Sequence, residues 1–300
     1  MYNRGMKKKL MPLILVIALL LSGCHPMVEE DDRLVLYASF YPIYVLSLGI
    51  TQGVMDLDVV CLTQPQDGCI RSYQLSQWDA AMLGQADALI LGGQGLESFA
   101  QSLEGGSLPL ISLMDGAELE GEATVDEAEN HWMGLNPWLF LDPSGALDMC
   151  RSLSGALQTL DPACADLYAQ NLETMEAKLT QLAQEMALPD GGQVAVMHEG
   201  LIYLARAMGL TVCAQVERES AVALGDNELS EALATLAESG AQAVLLERQA
   251  PQSLVNALTQ AGYRVALIDT LTAHDEADPE IYFEAMAANA QAVASVLNPA

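Results

Sequence analysis

Residues able to do chemistry are few in this chain, and most stand where an apolar run ends. His198 and Glu199 follow Val194–Met197, Glu247 follows Ala243–Leu246, and Asp269 follows Arg264–Ile268. Glu217-Arg218-Glu219 lies shortly after Thr211–Ala214. In the first half Arg71 comes after Leu57–Leu62, and Gly92-Gly93-Gln94-Gly95 ends Ala88–Leu91. An imidazole beside carboxylates can move protons, ligate a cation or brace the fold. Taken singly, each of these residues fits a bracing role as readily as a chemical one. There is no GxSxG, HExxH or P-loop, and the glycine run lacks the full GxGxxG spacing. A hydrolase built on His198-Glu199 therefore has no motif beneath it, and the chain reads as a non-enzyme.

The elements that must position these residues alternate in type. Continuous apolar runs at Leu34–Ala38, Leu57–Leu62, Ala88–Leu91 and Leu108–Ser112 are separated by helical stretches, the pattern of parallel strands covered on both faces. Asp161-Pro162 gives an N-cap followed by proline at the first helical position, and helical spacing then continues unbroken to Met186. A second alternating series follows, with helices expected around 200–208, 228–239, 251–261 and 280–297. The expected fold is α/β: two lobes with mainly parallel sheets joined by a single long helix. The expected boundaries are a first lobe over 33–160, a linker helix over 161–187 and a second lobe over 188–300. In such sheets ligands bind beyond the carboxyl ends of the strands, where the residues named above lie.

The N-terminus adds an address. Arg4 and Lys7–Lys9 precede an apolar run from Leu10 to Leu21, which is too short to span a bilayer and ends in Leu21-Ser22-Gly23-Cys24. This reads as a signal peptide over 1–23, with Cys24 as the lipidated mature N-terminus and an acidic tether over 24–32. The chain has 12 basic and 40 acidic residues. Four of the basic ones and none of the acidic ones lie in the signal, so the mature chain carries 8 against 40, net -32. Such a surface repels nucleic acid. In an exported chain Cys61 and Cys69 flank a Pro/Gly loop short enough for a disulfide, while Cys150, Cys164 and Cys213 read as buried free thiols. His25 and His274 read as surface residues, and Glu118–Asn130 as a solvated acidic loop.

Taken in order, several short motifs resemble one family. They are Ala38-Ser39-Phe40-Tyr41-Pro42-Ile43-Tyr44, Tyr73-Gln74-Leu75, Gly93-Gln94-Gly95-Leu96-Glu97, Asn136-Pro137, Leu141-Asp142-Pro143, Asp161-Pro162 with Tyr168 and Asn171, His198, Tyr203-Leu204-Ala205, Gly209-Leu210, Glu247 and Asp269. The chain is similar in these to the zinc/manganese-type solute-binding lipoproteins of ABC transporters, whose lobes are joined by a rigid helix. The resemblance implies capture of Zn²⁺ or Mn²⁺ as transported solute rather than a catalytic cofactor. It implies permease and ATPase partners, a monomer, and attachment to the outer face of the cell membrane through lipid on Cys24.

The resemblance also implies a ligand set, and here the chain departs from it. His198 and Asp269 stand at the second-lobe histidine and carboxylate positions. Arg71 and Trp138 stand where the first lobe should present histidines, and neither can ligate a metal. Three readings stay open. A metal is bound with altered ligands, Glu199, Glu217, Glu247 or His131 completing the set. Alternatively the cleft takes a metal chelate or another small anionic solute, with Arg71, Trp138 and Tyr41 as contacts. In the third, Arg71 pairs internally with Asp269 or Glu247 and the site is vestigial. A non-transport adhesion lipoprotein is the remaining alternative.

Overall fold

The structure is a computed structural model, and it describes residues 33–67, 70–117, 119, 136–216 and 224–298. The signal, Cys24, the tether, His25, most of the acidic loop with His131, Cys69 and Glu217 lie outside the described residues.

Two four-stranded parallel sheets carry the fold. In the first, β1 (Leu34–Ala38), β2 (Leu57–Cys61), β3 (Ala88–Leu91) and β4 (Leu110–Ser112) run in the order β2-β1-β3-β4. In the second, β5 (Gln193–Val196), β6 (Thr211–Gln215), β7 (Ala243–Glu247) and β8 (Val265–Ile268) repeat the plan as β6-β5-β7-β8. In both sheets the strand order reverses beside the first strand, β1 or β5, and crevices open at such switch points.

The helices follow local signals. Helix α1 (Tyr41–Thr51) begins on Pro42, and α2 (Gln77–Leu83) begins on a capping box in which Ser76 and Asp79 satisfy each other's backbone N–H. Helix α3 (Pro143–Leu160) starts where Asp142 accepts from the Ser144 N–H at 2.8 Å. The long helix α4 covers Ala165–Met186, with Pro162–Cys164 forming a separate 3₁₀ turn before it. Its 22 residues span about 33 Å at 1.5 Å each. Tyr168, Met175, Leu179, Leu182 and Met186 form its buried stripe, each worth about 1.5–3 kcal/mol when withdrawn from water. Asn171 fastens α4 to the first lobe by donating to the carbonyls of Ile50 and Gln52 at 2.9 and 2.8 Å, which would otherwise be left open at the end of α1. The second lobe adds α5 (Leu201–Ala207), α6 (Asp226–Ser239), α7 (Gln252–Gln260) and α8 (Glu280–Leu297).

One apolar core runs from the first sheet past α4 to one face of the second sheet, and a smaller cluster covers that sheet's other face beneath α6 and α7. Strand β7 shows why its run reads apolar throughout: Ala243 and Leu245 enter the large core, Val244 and Leu246 the small one. The lobes touch directly as well. Tyr282 of α8 donates its hydroxyl to the Phe140 carbonyl at 2.8 Å. Lys178 of α4 pairs with Glu280 and stands 4.2 Å over the Phe283 ring. Of the thiols read as buried, Cys150 is buried and free, whereas Cys164, in the turn before α4, and Cys213, on the edge strand β6, are free but only half-buried.

Candidate functional site

The carboxyl ends of the two sheets meet different fates. In the first lobe the switch point is filled by the chain itself. Glu97, 3% exposed, accepts from Ser39 Oγ at 2.6 Å and from the N–H groups of Gly92 and Gly93 at 2.7 and 3.0 Å. Burial raises the Glu97 pKa, and those three donors work against the shift. The glycine run after β3 is thus a cradle for an internal carboxylate. Gly93 has φ 88°, and a Cβ there would sit 1.8 Å from Ser112 Oγ, so no other residue fits.

In the second lobe the ends of β5, β7 and β8 present His198, Glu199, Glu247 and Asp269. His198 is 8% exposed, Glu247 1% and Asp269 4%. The first lobe reaches across to this edge. Arg71, in the 3₁₀ turn Ile70–Ser72, places Nη2 2.6 Å from Glu199 Oε1. Trp138 donates its indole N–H to the same oxygen at 2.8 Å. Asn136 donates to the Glu199 carbonyl at 2.9 Å and accepts, through its own carbonyl, the Tyr203 hydroxyl at 2.7 Å. Trp138 lies edge-on to His198 with ring centroids 4.5 Å apart, and it packs against Gly200 so closely that a Cβ there would lie 2.7 Å from its Cβ and Cγ. The Gly200 N–H donates to His198 Nδ1 at 3.1 Å. A neutral ring in this arrangement carries its proton on Nε2, so Nε2 can take a metal only when the proton moves to Nδ1 and the Gly200 contact breaks.

Asp269 is held from several sides. Its Oδ1 accepts from the Leu271 N–H at 2.8 Å, and its Oδ2 meets Arg248 Nη1 and His274 Nε2, both at 2.8 Å. Asn289 brackets its backbone, accepting from the Asp269 N–H and donating to its carbonyl, both at 2.8 Å. Leu271 adopts φ 65°, an uncommon conformation for a leucine, in the turn that brings His274 back onto the carboxylate. Tyr41 completes this corner. Its ring stacks on His274 at 5.6 Å, and its hydroxyl, kept protonated by burial and by Glu276, donates to the Glu276 carbonyl at 2.9 Å.

Against the sequence expectations, Arg71, Trp138, His198 and Glu199 come together in one cluster. Asp269 and Tyr41 form a second cluster with Arg248 and His274. Of the two internal partners weighed for Arg71, Asp269 or Glu247, Asp269 is taken by Arg248, which follows β7 on the neighbouring strand, while Arg71 faces Glu199. His274, read as a surface residue, is only 23% exposed and bonded to Asp269. The signal that could have found it is its position five residues beyond a strand-end carboxylate, within reach of one returning turn. Among the described residues no three His, Cys, Asp or Glu side chains converge as a ready metal cage. Cys61 directs its thiol to the Thr63 carbonyl at 3.2 Å, and burial pushes its pKa up to about 12.

A family model described as "Zinc-uptake complex component A periplasmic" matches residues 36–296. The zinc-binding lipoprotein AdcA of Streptococcus pneumoniae is 21% identical over 309 residues, covering 96% of this chain and 60% of that protein. The zinc-binding protein TroA of Treponema pallidum is 24% identical over 197 residues, 63% of each. The chain thus spans roughly three-fifths of the length of these curated relatives. The structure of the solute-binding protein FpvC from Pseudomonas aeruginosa in complex with Mn²⁺ shares the fold with a TM-score of 0.76, at 22% identity, over 88% of this chain and 98% of that one.

Proposed function

The chain belongs to the family of periplasmic zinc-uptake components, solute-binding proteins of ABC transporters rather than enzymes, and from that premise we propose that it captures a divalent metal ion between its lobes. One observation carries the reading. At the end of the second sheet His198, Glu199, Glu247 and Asp269 are all largely buried, in two clusters rather than one ready cage among the described residues, and the groups facing Glu199 and Asp269 include guanidinium cations. Buried carboxylates are held either by paired cations, as here, or by a coordinated metal, so a metal ion can take the place that a guanidinium fills. Imidazole and carboxylate donors together suit Zn²⁺ or Mn²⁺. His198 and Asp269 are the proposed core ligands, with Glu199 and Glu247 beside them, and Arg71 and Trp138 stand where two further nitrogens would be expected. The protein is proposed to hand its metal to a permease driven by an ATPase, as a monomer held on the extracytoplasmic face of the cell membrane by lipid on Cys24.

A second reading has its own support. Arg71 and Trp138 converge two donors on one carboxylate oxygen of Glu199, the arrangement that would bind a carboxylate-bearing metal chelate. The test is metal content of protein isolated without chelators, followed by Zn²⁺ and Mn²⁺ calorimetry with and without citrate. Stoichiometric binding of the bare ion that is lost in His198→Ala supports metal capture. Binding seen only with citrate and lost in Arg71→Ala supports the chelate, and no binding in either form overturns both.

A further inference from the structure

The contact between Arg71 and Glu199 crosses from one lobe to the other, inside the region where the metal is proposed to bind. Both side chains are 14% exposed, and their charged tips lie 2.6 Å apart. The backbones behind them are pinned. Ser98 Oγ donates to the Arg71 carbonyl at 2.7 Å, and the Glu199 carbonyl accepts from both Asn136 Nδ2 at 2.9 Å and the Ile202 N–H at 3.1 Å. With the backbones held in this way, rotation of the two side chains is the shortest route by which the pair can part. Trp138, 4% exposed, donates to the same carboxylate oxygen.

We propose that the guanidinium of Arg71 is the resident cation of the cleft, and that an arriving divalent ion binds by exchange: Arg71 swings out and Glu199, held by Trp138, becomes a ligand. This rests on the metal-capture reading above. The physical ground is charge balance. A carboxylate this enclosed needs a cation beside it, and one site cannot hold a guanidinium and a divalent ion together at contact distance. Arg71 then sets the affinity threshold, lowering occupancy by any metal too weak to displace it. The two partners of one ion pair act in opposite senses, Arg71 as competitor and Glu199 as ligand, whereas a pair that only braced the fold would give both substitutions the same sign.

The experiment is equilibrium dialysis with Zn²⁺ on the wild type, Arg71→Gln and Glu199→Gln, with thermal unfolding of each measured alongside. Arg71→Gln removes the charge while keeping a long polar side chain, so the fold should hold. Removing one close cation should tighten Zn²⁺ by at least about tenfold, and removing one carboxylate ligand should weaken it by at least about tenfold. Arg71→Lys, which keeps the charge, should stay within about threefold of the wild type. If the wild type binds Zn²⁺ and both Gln variants move the same way, or neither moves, the exchange is wrong while metal capture stands. If neither the wild type nor Arg71→Gln takes up Zn²⁺, metal capture fails and the exchange falls with it.

Discussion

Gly200→Ala tests whether Trp138 is as tightly wedged between the lobes as the geometry implies. A Cβ at position 200 would lie 2.7 Å from Trp138 Cβ and Cγ and 3.0 Å from Cδ2. Carbon atoms normally approach to about 3.5–4.0 Å, so the indole must retreat by about 1 Å. It has little room, being 4% exposed, with its ring beside His198 and Phe140 and its N–H on Glu199. Overpacking of this kind costs about 1–3 kcal/mol, and weakening a hydrogen bond to a carboxylate adds up to about 1.5–3 kcal/mol. Gly200 has φ -60°, so alanine meets no backbone strain there and recovers about 0.4–1 kcal/mol from the unfolded chain. The expected net loss is about 2–4 kcal/mol, read as a lower urea midpoint at an unchanged slope. In a Trp138→Ala background the same substitution should cost less than about 0.5 kcal/mol. An equal cost in both backgrounds, or none in the wild type, would refute the wedge.

Other expectations are as direct. Cys24→Ala should leave the protein unprocessed or released, and metabolic lipid labelling that persists in the variant would end the lipoprotein proposal. Cys61 is a free thiol in the structure, so peptide mapping of protein isolated under air should recover it unlinked; a bonded Cys61–Cys69 peptide would restore the disulfide read from the sequence. Glu97→Gln should lose about 1–3 kcal/mol, because an amide nitrogen cannot accept a hydrogen bond as the carboxyl oxygen it replaces can, whether that oxygen is ionised or protonated. Since burial raises the Glu97 pKa above its ordinary 4.5, its stabilising contribution is fully present below that value and declines as pH rises through the folded-state pKa. Unfolding measured across pH should therefore show the variant's penalty shrinking toward neutral pH, and a penalty that grows with pH would contradict the assignment.

The two-lobe α/β architecture was legible because parallel strands buried on both faces leave continuous apolar runs, as Ala243–Glu247 shows, and because local caps such as Ser76 and Asp142 are written in neighbouring residues. The partners within the candidate site were not legible. Arg71 and Glu199 belong to different lobes, and no local pattern encodes a contact made only when the lobes pack. Likewise Arg248 looks like an exposed arginine after a strand until the order β7-β8 sets it beside Asp269. His274 sits in an acidic, polar stretch, and only the left-handed turn at Leu271 returns it to the strand end. The glycine run after β3 was ambiguous for a related reason: its amides face a carboxylate of the chain itself, supplied by Glu97 a few residues on.

The most direct test of the central claim is anomalous scattering at the zinc absorption edge from crystals grown with one equivalent of Zn²⁺. Metal capture between the lobes predicts one strong peak per chain, about 2.0–2.2 Å from a His198 nitrogen and an Asp269 oxygen, and its absence from His198→Ala crystals. Zinc found only on surface carboxylates, or nowhere in the chain, would contradict it.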